Sequence, residues 1–358
     1  MIRPFRLGDF FLIHRLSRQA TKLNASLALS QPYSVLGAAL TAIVPWNDAK
    51  VATYVLHQRT HDFARSGFLQ AQKRPGRPES DILLLAPALD TARGHPAIWE
   101  KLLSHYINEI NEVTQQPIVR IYADVPDQPI IINTFMHVGF RVYTRQTIWR
   151  LPAQGAESFA HQVTANIRPE QKKDNWALRR LYMQVTPPAV QQAEGSQADS
   201  ELPPPILDWW QPYARSSFVL EERGELYGCL RIGYGTRGIW LQIWQQPNQV
   251  NTEHLHQLVC FALTEICQQS NARLPIYIGV RDYHGGVGSV LADYGFAPFT
   301  DRAKMAKQLL QWVKVPETVL TPVLEAVPEV VAAPFMLNEQ EDYALPAPPQ
   351  NAHQMPTG

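Results

Sequence analysis

The chain has 358 residues, 45% apolar and 18% charged, with 32 Lys and Arg against 32 Asp and Glu. That length suits two globular domains, and the even charge balance excludes a global basic field for nucleic acid or an acidic membrane. The apolar run near Val35–Val44 is too short to span a bilayer, and Asp9, Arg15 and Arg18 interrupt any secretory leader, so neither is expected.

Ile2-Arg3-Pro4 reads as a short strand, followed by a turn and an amphipathic helix with Asp9 at its N-cap. Residues 50–58 and 68–72 pair as strands, and Asp81–Pro87 is a core strand. Ala97–Val113 is a helix, Ile118–Val125 a strand, and a second helix runs into Gly139-Phe140. Residues 153–164 are a linker.

Ile167-Arg168-Pro169 then repeats the opening. At the same offset Asp9 matches Asp174, Arg15 matches Arg180, Leu16 matches Leu181 and Gln19 matches Gln184. A hairpin at 217–235 turns on Arg223-Gly224, and 239–244 is a strand. Thr252–Gln268 carries apolar residues at a helical period, Leu255, Leu258, Val259, Ala262, Leu263 and Ile266. A strand at 275–280 and a helix into Gly295-Phe296 close the second copy. Matching ends in the same order imply a duplication.

Residues 187–205 are polar and Pro-bounded, and are expected to form a flexible insert. Trp209-Trp210 packs beneath it, with a contact surface as the alternative. Residues 315–358 lack Lys and Arg and space four prolines six apart, which predicts a disordered tail, with polyproline docking of a protein partner as the alternative. Cys229, Cys260 and Cys267 form no CxxC pair and read as core thiols in a reducing, cytoplasmic setting. His254 and His256 point apart on a helix. No metal is expected.

Taken in order, Ile2-Arg3-Pro4, LLLAP (83–87) before Trp99–Leu103, and Asn133 with Gly139-Phe140 resemble the GNAT superfamily of acyl-CoA-dependent N-acetyltransferases. Ile167-Arg168-Pro169, Glu222–Gly228 and Gly295-Phe296 resemble it a second time, over about 1–151 and 165–314. The resemblance implies an α/β (α+β) fold of two GNAT-like domains, 1–152 and 165–314. Each would have a mixed, mostly antiparallel sheet with a splayed central parallel pair, flanked by helices and ending in a Gly-Phe-led hairpin. It further implies that the pantetheine arm of acetyl-CoA or another acyl-CoA lies in the splay. The pyrophosphate would sit on backbone N–H groups at the following helix N-terminus. A tyrosine four residues before the glycine would protonate the thiolate.

Laid on this chain, the acyl-CoA contacts fall on Leu85, Ala86, Pro87, Arg93, Gly94, His95, Ala97 and Asn133. The second copy's loop, Gln245–Glu253, has no glycine and no Lys or Arg, and is expected to have lost ordinary acyl-CoA binding. Phe135 and Leu291 occupy the tyrosine position. Tyr143 and Tyr122, or Tyr294 and Tyr283, are the substitutes. Asp81 and His57, or Glu221, Glu222 and His254, are candidate bases, and RDYHGGVG (281–288) is a Gly-rich loop that could line the second cleft. The expectation is acyl transfer to a small-molecule or peptide amine, mainly through the first domain. The alternative is an inactive tandem module that binds a ligand or protein.

Overall fold

The computed structural model describes residues 1–41, 51–59, 64–113, 118–153, 155, 166–195, 215–246, 252–269 and 273–309. The expected tail, most of the linker, Trp209-Trp210 and residues 196–205 of the insert lie outside them.

The first half runs β1 (Ile2–Pro4), a 3-10 turn (Leu7–Asp9), α1 (Phe10–Ser17), β2 (Thr21–Lys22), α2 (Ala25–Ser30), α3 (Val35–Thr41), β3 (Val51–Arg59) and β4 (Ala64–Lys73). It continues with β5 (Glu79–Ala86), α4 (Pro96–Val113), β6 (Arg120–Pro126), α5 (Pro129–His137) and β7 (Arg141–Leu151). The second half runs β8 (Ile167–Pro169), a 3-10 turn (Lys172–Asp174), α6 (Asn175–Val185), α7 (Pro188–Ala193), β9 (Arg215–Glu222) and β10 (Glu225–Tyr234). Then come β11 (Ile239–Gln245), α8 (Glu253–Gln268), β12 (Ile276–Arg281), α9 (Val287–Asp293) and β13 (Ala297–Gln308). This is the element order that the resemblance implies, met twice. Where a flexible insert was expected, residues 188–193 form α7, with Pro188 in the first turn, where a missing N–H removes no intrahelical bond.

The repeated openings share one polar clamp. Arg3 grips Asp9 through two bonds of 2.6 and 2.8 Å, and Arg168 grips Asp174 through two of 2.8 and 2.9 Å. Each buried aspartate also accepts a backbone N–H, from Arg6 or Gln171. The carboxylates therefore turn back onto the strand rather than capping α1 and α6, whose N-caps lack a side-chain bond.

The repeated Gly-Phe pairs are helix stops. Gly139 has φ +89° and Gly295 φ +78°, the left-handed region where a side chain is strained. Phe140 N–H donates to the Phe135 carbonyl and Gly139 N–H to that of Met136. Phe296 and Gly295 bond Leu291 and Ala292 likewise. This Schellman geometry favours an apolar contact between the residues it joins. Phe135 and Phe140 meet edge to face at 5.1 Å, both fully buried. Packing explains why the tyrosine position holds Phe135 and Leu291.

The chain then departs from the expected terminal hairpins. One sheet of 13 strands runs β1-β3-β4-β5-β6-β13-β7-β12-β11-β10-β9-β8, with β2 alongside β5. β13 lies between β6 and β7, and β7 lies between β13 and β12. Each half thus inserts its last strand beside the other half's penultimate strand. The cores follow. Ala303, Met305 and Leu309 join the first-half core with Trp99, Leu102 and Phe135, while Leu151 joins the second-half core with Leu258, Leu263 and Phe296. Residues 1–312 form one compact unit.

Candidate functional site

Both halves contain a parallel pair that opens along its length. In the first, Glu79, Ser80 and Asp81 pair with Arg120, Ile121 and Tyr122, after which the strands part. The chain itself fills this wedge. Thr21 and Lys22 pair with Leu85 and Leu84. Leu23 N–H donates to the Leu83 carbonyl (2.8 Å), and Asp124 N–H donates to that of Leu23 (3.1 Å), which joins β5 to β6. Leu23 is buried, and Asn24 caps α2 by accepting the Leu27 N–H.

The loop expected to cradle phosphate is closed as well. Ala97 N–H donates to His95 Nδ1 and Ile98 N–H to the His95 carbonyl, so the first turn of α4 caps itself. A Cβ on Gly94 would collide with the Ala88 carbonyl oxygen, so Gly94 serves the loop's own closure. Arg93 and His95 are exposed, Asn133 projects from the exposed side of α5, and Leu85 already lies between β4 and β2. Leu85, Ala86, Pro87, Arg93, Gly94, His95, Ala97 and Asn133 therefore do not surround an open arm site.

The other candidates hold structural posts. Asp81 takes two bonds of 2.7 Å from Arg74, whose guanidinium lies over the Tyr122 ring. Tyr122 donates to the Ala193 carbonyl. Tyr143 is half-buried beside Tyr122, and burial followed by the Glu194 charge raises its hydroxyl far above the usual range. His57 bonds Asp9, Glu221 pairs with Arg168, Glu222 meets His254, and Tyr294 bonds the His256 carbonyl.

The second wedge stays open. Ile239, Trp240 and Leu241 pair with Ile276, Tyr277 and Ile278. Beyond Leu241 the β12-facing edge of β11 has no strand partner among the described residues, while its other edge stays paired with β10 as far as Gln245. The segment matching Thr21-Lys22-Leu23 at offset 165 is Thr186-Pro187-Pro188. Pro188 stands where Leu23 donates to β5, and proline has no N–H. The chain therefore turns into α7 and leaves the wedge unfilled.

A small cleft of about 30 Å³ occupies this place, lined by Gln242 and its β11 neighbours, Gly279, Arg281, His284, Gln146 and Lys304. Gly279 matters here, because a Cβ would come 3.0 Å from Gln146 Oε1 and narrow the wall. Gln146 lies on β7 and Asp124, also at the wall, on β6, so the first half contributes to the second half's cleft.

Arg281 and Glu194 are both buried and meet at 2.7 Å. Tyr182 donates to Glu194, and Arg281 donates to the Tyr283 hydroxyl, each at 2.7 Å. Burial raises the Glu194 carboxyl, but the Arg281 charge and hydrogen bond outweigh it, so the carboxyl sits below its usual value. Burial depresses Lys304, offset in part by Asp124. His284 Nε2 is buried with no hydrogen-bond partner among the described residues. Burial, then the Arg281 charge, pushes this imidazole down to about 4, so it is neutral at pH 7 with a lone pair available. The Gly-rich 281–288 loop therefore meets the cleft through side chains, Arg281 and His284.

The chain matches no family model and none of the curated proteins. Among solved structures it is similar to a tandem GNAT protein from the clavulanic acid biosynthesis pathway, at 12% identity over 87% of this chain and 99% of that one, with a TM-score of 0.49. A GCN5-related N-acetyltransferase from Sphaerobacter thermophilus aligns at 10% identity over 87% and 96%, with a TM-score of 0.49. One from Kribbella flavida aligns at 7% over 76% and 93%, with a TM-score of 0.44. The duplicated architecture is read from the chain's own strand order, its two parallel pairs and its two Arg–Asp clamps.

Proposed function

We propose that this chain is an N-acyltransferase whose acyl donor, acetyl-CoA or another acyl-CoA, enters the second-half cleft, while the first half serves as scaffold. The donor-binding and transfer roles would thus fall on the copy opposite to the one favoured by its loop sequence. The carrying observation is the contrast between the wedges: one is stitched shut by β2, and the other is open beside an unpartnered neutral histidine.

The open β11 edge offers backbone donors and acceptors to the amides of a pantetheine arm. The amine nitrogen attacks the thioester carbon, forming the N–C bond as the C–S bond breaks. His284 takes the proton the amine loses and returns it to the departing thiolate. Its neutral form has a lone pair to receive that proton, and its imidazolium, made acidic by burial and the Arg281 charge, gives it up readily to the thiolate. The acceptor is a small-molecule or peptide amine. We divide the chain into units 1–152 and 165–314, joined by 153–164 and followed by the 315–358 tail, and place it in the cytoplasm.

An acetyl-CoA titration by calorimetry tests this. One site per chain is expected. Gly279→Leu should weaken it at least about tenfold, whereas Arg93→Glu should leave it unchanged. Absence of heat at millimolar ligand, or sensitivity to Arg93→Glu alone, would overturn the proposal and favour the inactive binding module.

A further inference from the structure

We infer that this chain docks on the surface of an anionic lipid bilayer through two aromatic-tipped helices, α1 and α6, one from each half. This surface is separate from acyl transfer and does not depend on it. At the repeat offset, Phe11 matches Trp176 and Arg15 matches Arg180. Phe11 is 83% exposed and Trp176 71% exposed. A lone exposed aromatic is ordinary on a protein surface. Two at the same place in diverged copies, each with an arginine one turn on, mark a shared surface role.

The helical period sends these side chains away from the sheet. Ile13 and Leu16 bury one side of α1, and Leu178 and Leu181 bury one side of α6. Phe11 and Arg15, like Trp176 and Arg180, are left on the outer sides. Phe11 meets exposed Phe10 edge to face at 5.7 Å, and Leu7 in the preceding turn is exposed as well. Arg180 lies over the Trp176 ring at 5.8 Å, and exposed Met183 continues that side of α6. Cations flank both tips in the chain. They are Arg6 and Arg18 for the first, and Lys172 and Lys173 for the second, all exposed. The only carboxylate in residues 1–47 is Asp9, and the only one in 171–193 is Asp174. Both are buried in the arginine clamps. No ion pair among the described residues neutralises Arg15, Arg18, Lys172, Lys173 or Arg180.

The two tips also share one side of the sheet. Trp240 and Trp244 are four apart on β11 and point the same way. Trp244 packs with Leu178 and Leu181 of α6. Trp240 packs with Ala25 of α2, whose Leu27 joins the core under α1. The α1 core lies over β3 to β5 and the α6 core over β9 to β11, so roughly 30 Å of sheet separates them at about 4.8 Å per strand. A partner that meets both is broad, negatively charged and able to admit aromatic rings. A leaflet rich in anionic lipid has all three properties, because interfacial aromatics insert among headgroups while Arg and Lys are drawn to the negative surface. A local basic face of this kind is compatible with the chain's zero net charge.

Co-sedimentation of the full chain with phosphatidylserine–phosphatidylcholine vesicles tests this, with pure phosphatidylcholine vesicles alongside. Partition into the anionic vesicles should be at least about tenfold stronger, and should fall as salt screens the cations. Phe11→Ser combined with Trp176→Ser should weaken it at least about tenfold. Arg15→Glu combined with Arg180→Glu should do the same. All four side chains are exposed, so both variants should keep the thermal transition of the parent chain. Equal partition into the two vesicle types, or undiminished binding by either folded variant, would overturn the inference. So would capture of the chain by polyglutamate without partition into either vesicle, which would assign the same cations to an acidic protein.

Discussion

Residues 1–152 expressed alone will not give a folded monomer. In the intact chain β7 lies between β12 and β13, so removing the second half strips both partners from this strand and one from β6. The first-half core also loses Ala303, Met305 and Leu309. Burying one large apolar side chain contributes about 1.5–3 kcal/mol, and a whole domain is stable by only about 5–15 kcal/mol. Lost burial together with three lost strand ladders exceeds that margin. The fragment is expected either to lack a cooperative thermal transition or to dimerise by exchanging β7 between copies, a low-cost use of an identical element. Co-expression with residues 153–358 should restore a one-to-one complex. A monomeric 1–152 fragment that unfolds cooperatively would show that the strand exchange is dispensable.

Glu194→Ala is expected to destabilise the chain by about 3–5 kcal/mol, measured by urea unfolding. The carboxylate is buried, bonded to Arg281 and Tyr182, and its removal leaves a buried guanidinium without its ion-pair partner. Most of that loss is the cost of the stranded charge rather than the net contribution of the pair. The double variant Glu194→Leu with Arg281→Met should therefore recover at least half of it. A loss below about 1 kcal/mol from Glu194→Ala would mean that water reaches Arg281 through an open cleft wall.

The duplication was legible because its signals are local. Ile-Arg-Pro with a following Asp makes the same clamp in each half, and Gly-Phe makes the same helix stop. The period of α8 also follows directly from its apolar spacing, since Leu255, Leu258, Val259, Ala262, Leu263 and Ile266 are all buried. Strand exchange was not legible. β7 and β13 have the composition of ordinary terminal strands, and which strand each one joins is decided by contacts more than a hundred residues apart.

The open wedge left a readable mark in Pro187-Pro188, which stand against Lys22-Leu23 at the repeat offset. Its meaning depends on knowing that Leu23 uses its N–H to close the first wedge. His284 was hidden for a different reason. A lone histidine in a Gly-rich loop carries no spacing signal, and only the fold brings it beside Arg281, Gln146 and Lys304. At Arg93 and Gly94 composition and geometry point different ways. Their composition suits a phosphate loop, but Gly94 closes that loop and His95 takes its donors.

Hydrogen–deuterium exchange with and without saturating acetyl-CoA tests most directly which wedge receives the donor. Slowed exchange is expected in peptides covering 241–245 and 279–284, with no change across 19–25 and 82–97. Protection across 82–97, accompanied by faster exchange at 19–25 as β2 leaves its place, would contradict it.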